Sequence, residues 1–510
     1  MLDAIMIVTC RILVATLVCF ICTVPWLSAQ DLISTESSLT ALKRIFKYKD
    51  PVIIKPFLST DFSIAAYQTP ATEEMLTQIL KNYPADSIVL RSVTRKYDLT
   101  FLKISFYNRG KLLDTNHMIL DKNERILYLE QFDKLFGMDR SLIAKHRITI
   151  PFENDNGAII LNVTLNNNKR IVRLLFDTGA DGMALSKDLA DSLGIVAHQT
   201  KQITVLGGHR QINIATENTL YFGKLALPRQ HIALVDNYHK RTDGVIGNTL
   251  AKHFIVRVNY DKNELSLYDF GYYEPEEHAI AIPVKVPGNI LMSVGLGIAK
   301  GRNVNGSFFF DTGARYNLLA FTPFVSKNDF LTAGFKPLYT SVTTSMGVRS
   351  TTYGGIANSL ALGSNLSLTD VPITLMGAEN LNRNWKTVAD GSLGSRLISR
   401  YNFVIDLLKK VIYLSPNHTF NYPQDFVMGG LMMGFDHDGC LRIKFPVLPS
   451  MKGKTKENAI VERINGIESG DLLTDRRKLN GLLYLSKRQR LVLEVKDNQN
   501  NLHRVRLTKP

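Results

Sequence analysis

Apolar positions change their spacing twice over residues 30–146. They recur at helical intervals near residues 38–47 and 72–82, then alternate over 87–93, 100–108 and 112–120. A further strand or short helix falls near 125–135. Helices followed by strands predict a separate α+β domain. From 147 to 418 the pattern is different: short apolar runs bounded by glycine and polar turns, which predicts a mainly β region. Two of these runs stop in the same way. Val172–Phe176 ends in Asp177-Thr178-Gly179-Ala180, and Ser307 to Phe310 ends in Asp311-Thr312-Gly313-Ala314. In each, glycine permits a turn that a Cβ would hinder.

The echo continues downstream. Asp243-Gly244-Val245-Ile246-Gly247 is matched by Asp390-Gly391-Ser392-Leu393-Gly394, and each landmark precedes a strand and its hairpin partner. Between motif and landmark each half carries a glycine-containing hairpin, with tips at Leu206, Gly207 and Gly208 in the first and at Met346 and Gly347 in the second. These are the flap candidates. One Asp-Thr-Gly is weak evidence, because three residues recur by chance; two copies in matching context predict two lobes, 147–275 and 276–418, the alternative being that both aspartates merely cap turns.

Two carboxyls brought to one site explain the duplication chemically. Like charges at contact distance do not both ionise easily, so one pKa rises, one falls, and the pair holds a single proton. The ionised member takes a proton from water while the shared proton goes to a carbonyl oxygen. Asp177 and Asp311 are therefore the catalytic candidates. Thr178, Gly179, Thr312 and Gly313 are their supports: the hydroxyls bond across the two loops, and the glycines bring backbone N–H groups near the carboxylates.

On these two motifs and two landmarks, residues 147–418 resemble the aspartic peptidases of the pepsin and retropepsin clan. The resemblance implies a bilobed, mainly β fold with a polypeptide substrate lying extended across the cleft, and no cofactor. The short lobes, each with its own flap, are more similar to two fused retropepsin subunits than to pepsin. No tyrosine occupies the turn at Leu206 to His209, so the flap chemistry of the pepsin branch does not carry over. Many pepsin-like enzymes have serine where this chain has Ala180 and Ala314. Neither carboxylate is thus expected to receive a hydroxyl bond from that position, and the pair is expected to titrate higher than in a serine-bearing relative.

Residues 425–510 resemble a PDZ domain. Met433, Gly434 and Phe435 stand where that family has its carboxylate-binding loop, which implies capture of a peptide C-terminus; a small β-rich packing module is the alternative. Residues 30–146 match the cystatin or nuclear-transport-factor-like kind by element order only, with a propeptide as the competing reading.

Composition changes the picture at three points. The first 29 residues place Arg11 before an apolar stretch and Ala29 at a small-residue exit, which predicts a signal peptide for export to the periplasm, envelope or medium, an uncleaved membrane anchor being the rival. Of the four cysteines, Cys440 alone lies beyond that segment, so the mature chain has no internal disulfide; this suits a bacterial exported protein. The net charge of +15 reads as a solvated basic surface, because no basic run is interleaved with aromatics as nucleic-acid binding requires. The histidines are scattered without a His-Glu-x-x-His pattern, so no metal site is expected. Two functions remain open: an aspartic endopeptidase, or a catalytically silent scaffold that holds peptides without cutting them.

Overall fold

The computed structural model describes residues 29–96, 98–205, 208–236, 241–286, 288–299, 302–332, 334–345, 348–364, 366–377, 385–496 and 501–507. Apart from Ala29, the proposed signal peptide lies outside them. Among the described residues no helix is long and apolar enough to cross a membrane.

The chain divides into two compact units, one ending at Phe136 and the other starting at Gly137. In the first, helices Ala29–Tyr48 and Ala71–Asn82 accompany an antiparallel sheet in which Ser87–Lys96, Leu99–Asn108, Lys111–Leu120 and Ile126–Leu129 pair in chain order. Leu42, Ile45 and Phe46 from one helix and Leu76, Ile79 and Leu80 from the other share a core with Leu102, Ile104 and Phe106. The helical stripes at residues 38–47 and 72–82 are thus the faces that bury. The unit closes ten residues before the boundary read from the sequence, because Arg140–Ile143 pairs in parallel with Phe270–Tyr272 of the second unit.

The second unit is mainly β and duplicated. In the first lobe Gly244–Ile246 runs parallel to Val172–Phe176 and antiparallel to Met183–Ser186. In the second, Gly391–Leu393 relates in the same way to Arg302–Phe310 and Leu318–Ala320. The lobes join through one antiparallel sheet, where Ile255–Asn259 pairs with Tyr401–Asp406 so that Val256, Arg257 and Val258 face Ile405, Val404 and Phe403. Glu264–Tyr268 and His146–Asp155 extend that sheet on one side, Val411–Pro416 and Ile280–Lys285 on the other. The buried side chains of these strands include Val256, Val258, Leu265, Leu267, Phe403, Ile405 and Ile412, and both motif-bearing strands belong to the lobes this sheet joins.

Residues beyond 425 form a sheet with strands in the order Phe426–Met428, Leu431–Phe435, Leu441–Pro446, Ile460–Ile464, Val492–Lys496 and Leu502–Arg506, packed under the helix Arg476–Ser486.

Candidate active site

Each motif strand hands its aspartate to a loop pinned by the neighbouring landmark. The Asp177 N–H donates to Ile246 O at 2.9 Å and the Asp311 N–H to Leu393 O at 2.9 Å. The landmark aspartates close the other end of the strand pair: Asp243 accepts from the Arg173 N–H and Asp390 from the Ser307 N–H, each at 2.8 Å. Gly247 and Gly394 then donate to Gly182 O (2.8 Å) and Asn317 O (2.9 Å) on the motif loops. A Cβ on Gly247 would meet Gly182 O at 2.7 Å, and one on Gly394 would meet Ala314 O at 2.7 Å, so only glycine lets strand and loop approach this closely. The landmark motif is therefore a clamp on the aspartate loop, repeated bond for bond in the two lobes.

The threonines lock the loops to each other. The Thr178 N–H donates to Thr312 Oγ1 and the Thr312 N–H to Thr178 Oγ1, both at 3.1 Å. Each hydroxyl passes its own proton across the boundary, Thr312 Oγ1 to Phe176 O at 2.7 Å and Thr178 Oγ1 to Phe310 O. Both threonines are fully buried. Every polar atom in this crossing has a partner, which is the condition for a buried polar network to rigidify rather than weaken its surroundings.

Above the threonines the carboxyls face each other. Gly179 N–H donates to Asp177 Oδ1 at 2.9 Å and Gly313 N–H to Asp311 Oδ1 at 3.1 Å. A Cβ on Gly179 would stand 2.6 Å from the Asp311 carboxyl carbon, and one on Gly313 closer still to that of Asp177. Each carboxyl is thus seated on the bare Cα of the opposite lobe's glycine. Burial first, then the charge of Asp177 and the hydrogen bond shared with it, hold the Asp311 acid well above the usual carboxylate range; the Gly313 N–H and the Ser392 hydroxyl pull the other way. Two carboxyls, one shared hydrogen bond and a raised pKa are what single-proton sharing requires.

Asp177, Thr178, Gly179, Asp311, Thr312 and Gly313 all meet here. Of the flap residues, Leu206, Gly207, Met346 and Gly347 lie outside the described residues; Gly208 opens the return arm of its hairpin opposite Val205. The arms themselves are long antiparallel ladders, Gln199–Val205 with Gly208–Phe222 and Tyr339–Ser345 with Val348–Leu362. Met433, Gly434 and Phe435 lie away from this site and in a strand, not a loop. Leu431–Phe435 is buried along its length and paired on both edges, with Phe426–Met428 and with Leu441–Pro446. Asp425 and Arg396 occupy the space beside Gly434, where a Cβ would meet the guanidinium at 3.0 Å. The space a side chain would fill at Gly434 is thus taken by the chain's own Asp425 carboxylate.

Ala180 and Ala314 leave the position after each glycine without a hydroxyl; the Ser392 side chain lowers the Asp311 pKa, but burial and the Asp177 charge outweigh it. The signal was visible as the single polar residue among the apolar pairs Val245-Ile246 and Ser392-Leu393. Asn289 was also missed: it donates to Gly179 O at 2.9 Å and accepts from Asn248 at 3.0 Å, supporting the first loop where Ser395 Oγ supports the second by donating to Ala314 O at 2.9 Å.

Residues 161–250 match the family described as aspartyl protease, a stretch that takes in Asp177 and the landmark ending at Gly247. The match supports an aspartyl protease of the pepsin and retropepsin-like kind. No curated protein matches the chain.

Proposed function

We propose that the chain is an exported aspartic endopeptidase that hydrolyses peptide bonds of protein or peptide substrates by a water activated between Asp177 and Asp311. The observation that carries this reading is the mutual seat of the carboxyls: each rests on the opposite lobe's glycine, in a site enclosed enough to raise the Asp311 pKa. A scaffold that only holds peptides gains nothing from two enclosed carboxyls that repel each other. The ionised member of the pair takes a proton from the water, whose oxygen attacks the carbonyl carbon, while the shared proton passes to the carbonyl oxygen. As the resulting diol collapses, one carboxyl protonates the leaving amine and the other takes the proton of a diol hydroxyl, which leaves the pair with one proton again. The fixed N–H groups of Gly179 and Gly313 keep the carboxyls oriented throughout, so the pair needs little reorganisation at the moment of reaction.

Substrate enters, in this reading, as an extended strand under the two long hairpins. The test uses the chain from residue 30 against a denatured-protein mixture, with and without a statine-type inhibitor, and reads new termini by mass spectrometry. Inhibitor-sensitive cleavage that vanishes in Asp177→Asn and in Asp311→Asn supports the reading. Absence of new termini from the parent over a broad pH range overturns it.

A further inference from the structure

Beside each carboxyl lies a small cluster of apolar side chains. Strand alternation puts Leu175 on the same face as Asp177, away from the fully buried Leu174 and Phe176, and it puts Phe309 on the face of Asp311. Leu175 pairs in parallel with Val245, which pairs on its other side with Ala184. In the second lobe the same row reads Phe309, Ser392 and Leu319. Each row packs with a residue of its own aspartate loop, Ala180 in the first lobe and Tyr316 in the second. The two rows are thus the walls that flank the carboxyl pair, one on each side.

Position by position the walls differ in bulk. On the second lobe's side phenylalanine stands for leucine and leucine for alanine. The one exchange in the other direction, Ser392 for Val245, opens no room, because the Tyr316 phenol oxygen lies 2.6 Å from Ser392 Oγ. That tyrosine sits in a loop one residue longer than its counterpart, since the landmark glycine bonds Asn317 in one lobe and Gly182 in the other. The second wall is also backed by rings. Phe309 tilts against Phe321 with centroids 6.3 Å apart, and Phe321 stands edge-on to Trp385 at 5.5 Å. The first wall is edged instead by Ala158, Ala180 and Ala184, and among the described residues its cluster holds no aromatic ring. An extended polypeptide centred on the carboxyls turns the side chain before the scissile bond towards one wall and the side chain after it towards the other. We propose that the walls are unequal subsites: the first lobe's takes a large apolar side chain, and the second lobe's, filled by the chain's own rings, takes a small one. Cleavage then falls between a large apolar and a small residue, always in the same order, and not between two large ones. Phe309, Tyr316 and Leu319 close the second subsite, and Ala184 keeps the first open.

This specificity rests on the proposed peptidase reading and is read from the same new termini. Expected is a large apolar residue on one side of each cut and a small one on the other, the same side throughout. Leu319→Ala and Phe309→Leu should each open the second subsite. They should raise kcat/KM by about 10-fold or more for a peptide with two large residues at the bond, the scale of a methylene or two in an apolar pocket, and change a large-small peptide little. Ala184→Leu should lower kcat/KM for the large-small peptide by a similar factor and spare a small-small one. A role in packing alone would lower all peptides together and leave their ratios unmoved. The second measurement needs no turnover. Two hydroxyethylene peptide isosteres that carry the same large and small side chains in opposite order are titrated into the chain from residue 30 by calorimetry. Expected is one isomer bound about 10-fold tighter than the other or more, with the difference shrinking in Leu319→Ala. Equal binding of the two isomers, or binding of neither, overturns the unequal subsites. Products with large residues on both sides of the cut overturn them too and leave the peptidase reading intact. A parent without activity bears on that reading instead, and the order of the isomers then decides the specificity.

Discussion

The closest approach in the site is between a carboxyl and a glycine, and it sets the most demanding test. In Gly179→Ala the new methyl would lie 2.6 Å from the Asp311 carboxyl carbon, and in Gly313→Ala it would crowd Asp177 more tightly. Ordinary contacts begin near 3.4 Å, so the loops must part by roughly 0.8 Å. Neither partner yields easily. The carboxyl is tied to its own loop by the glycine N–H, the loop to the landmark strand, and the threonines beneath to each other. A displacement near 1 Å at reacting groups costs on the order of 100-fold in rate, and overpacking of a tight interior costs about 1–3 kcal/mol of stability. The assay is kcat/KM on a fluorogenic peptide beside thermal unfolding of the same preparations, with Gly470→Ala as control, since a Cβ there meets nothing within 4 Å. Expected are losses of about 100-fold for Gly179→Ala and more for Gly313→Ala, with Gly470→Ala unchanged. Retention of more than about a tenth of parental kcat/KM in Gly313→Ala, a loss of only ~1.4 kcal/mol in barrier, would refute the geometry.

Asp177→Asn and Asp311→Asn should each abolish peptide hydrolysis nearly as fully as the double variant, because groups that share one proton act as a unit; additive losses in steady-state kinetics would count against the shared proton. Thr178→Val leaves the Thr312 N–H without its Thr178 acceptor and Phe310 O without its Thr178 donor, so a loss of about 2–6 kcal/mol is expected in denaturant unfolding, at ~1–3 kcal/mol per stranded group. The raised Asp311 pKa means that the native state holds a proton the unfolded chain releases near pH 3.8, so the pair weakens the fold as pH rises through that window. Asp311→Asn should then unfold at a higher temperature than the parent at neutral pH, and the gap should close in strong acid. Arg396→Met strands the enclosed carboxylate of Asp425, with which Arg396 pairs at 2.6 Å; removing one partner of such a pair costs about 3–5 kcal/mol, read as earlier unfolding in urea.

The mainly β class and the paired aspartates were legible in the sequence because their causes are local. An apolar strand that must stop at a carboxylate, a glycine that must seat one, and a landmark that must clamp the loop all leave short motifs, and the duplication prints each motif twice. Positions supplying a lone hydrogen bond leave no such print. Ser392 stands where the first lobe has Val245, and that its hydroxyl meets the Tyr316 phenol depends on the parallel pairing with Phe309, which no spacing rule reveals. Asn289 reaches Gly179 from the other lobe, more than a hundred residues along the chain. Gly434 is a different case. A glycine before an aromatic suggests a ligand-binding turn, but here its missing side chain makes room for Asp425.

The same glycine shows how unequal support enters a duplicated site. Two residues beyond the landmark glycine of the second lobe stands Arg396, on the short helix Ser395–Ile398. Ser395 of that helix bonds Ala314 O through both its N–H and its hydroxyl, so the helix carries the loop that carries Asp311. Arg396 is held in turn by Asp425 at 2.6 Å and Asp436 at 3.2 Å, both from the C-terminal sheet's side of the boundary, and Lys444 and Arg442 complete the pairing of Asp436. Phe445 of the same sheet packs edge-on against Tyr339, where the second lobe's hairpin begins, with ring centroids 5.2 Å apart. The C-terminal sheet therefore braces the loop of one aspartate and the root of one hairpin. In the first lobe the corresponding support is an asparagine pair, Asn248 from that lobe and Asn289 from the second. A duplicated fold by itself would offer a single proton two equal homes. Here an ionic brace through Arg396 stands behind the loop of Asp311, while neutral amides hold the loop of Asp177, so the two homes differ in the charge placed behind them.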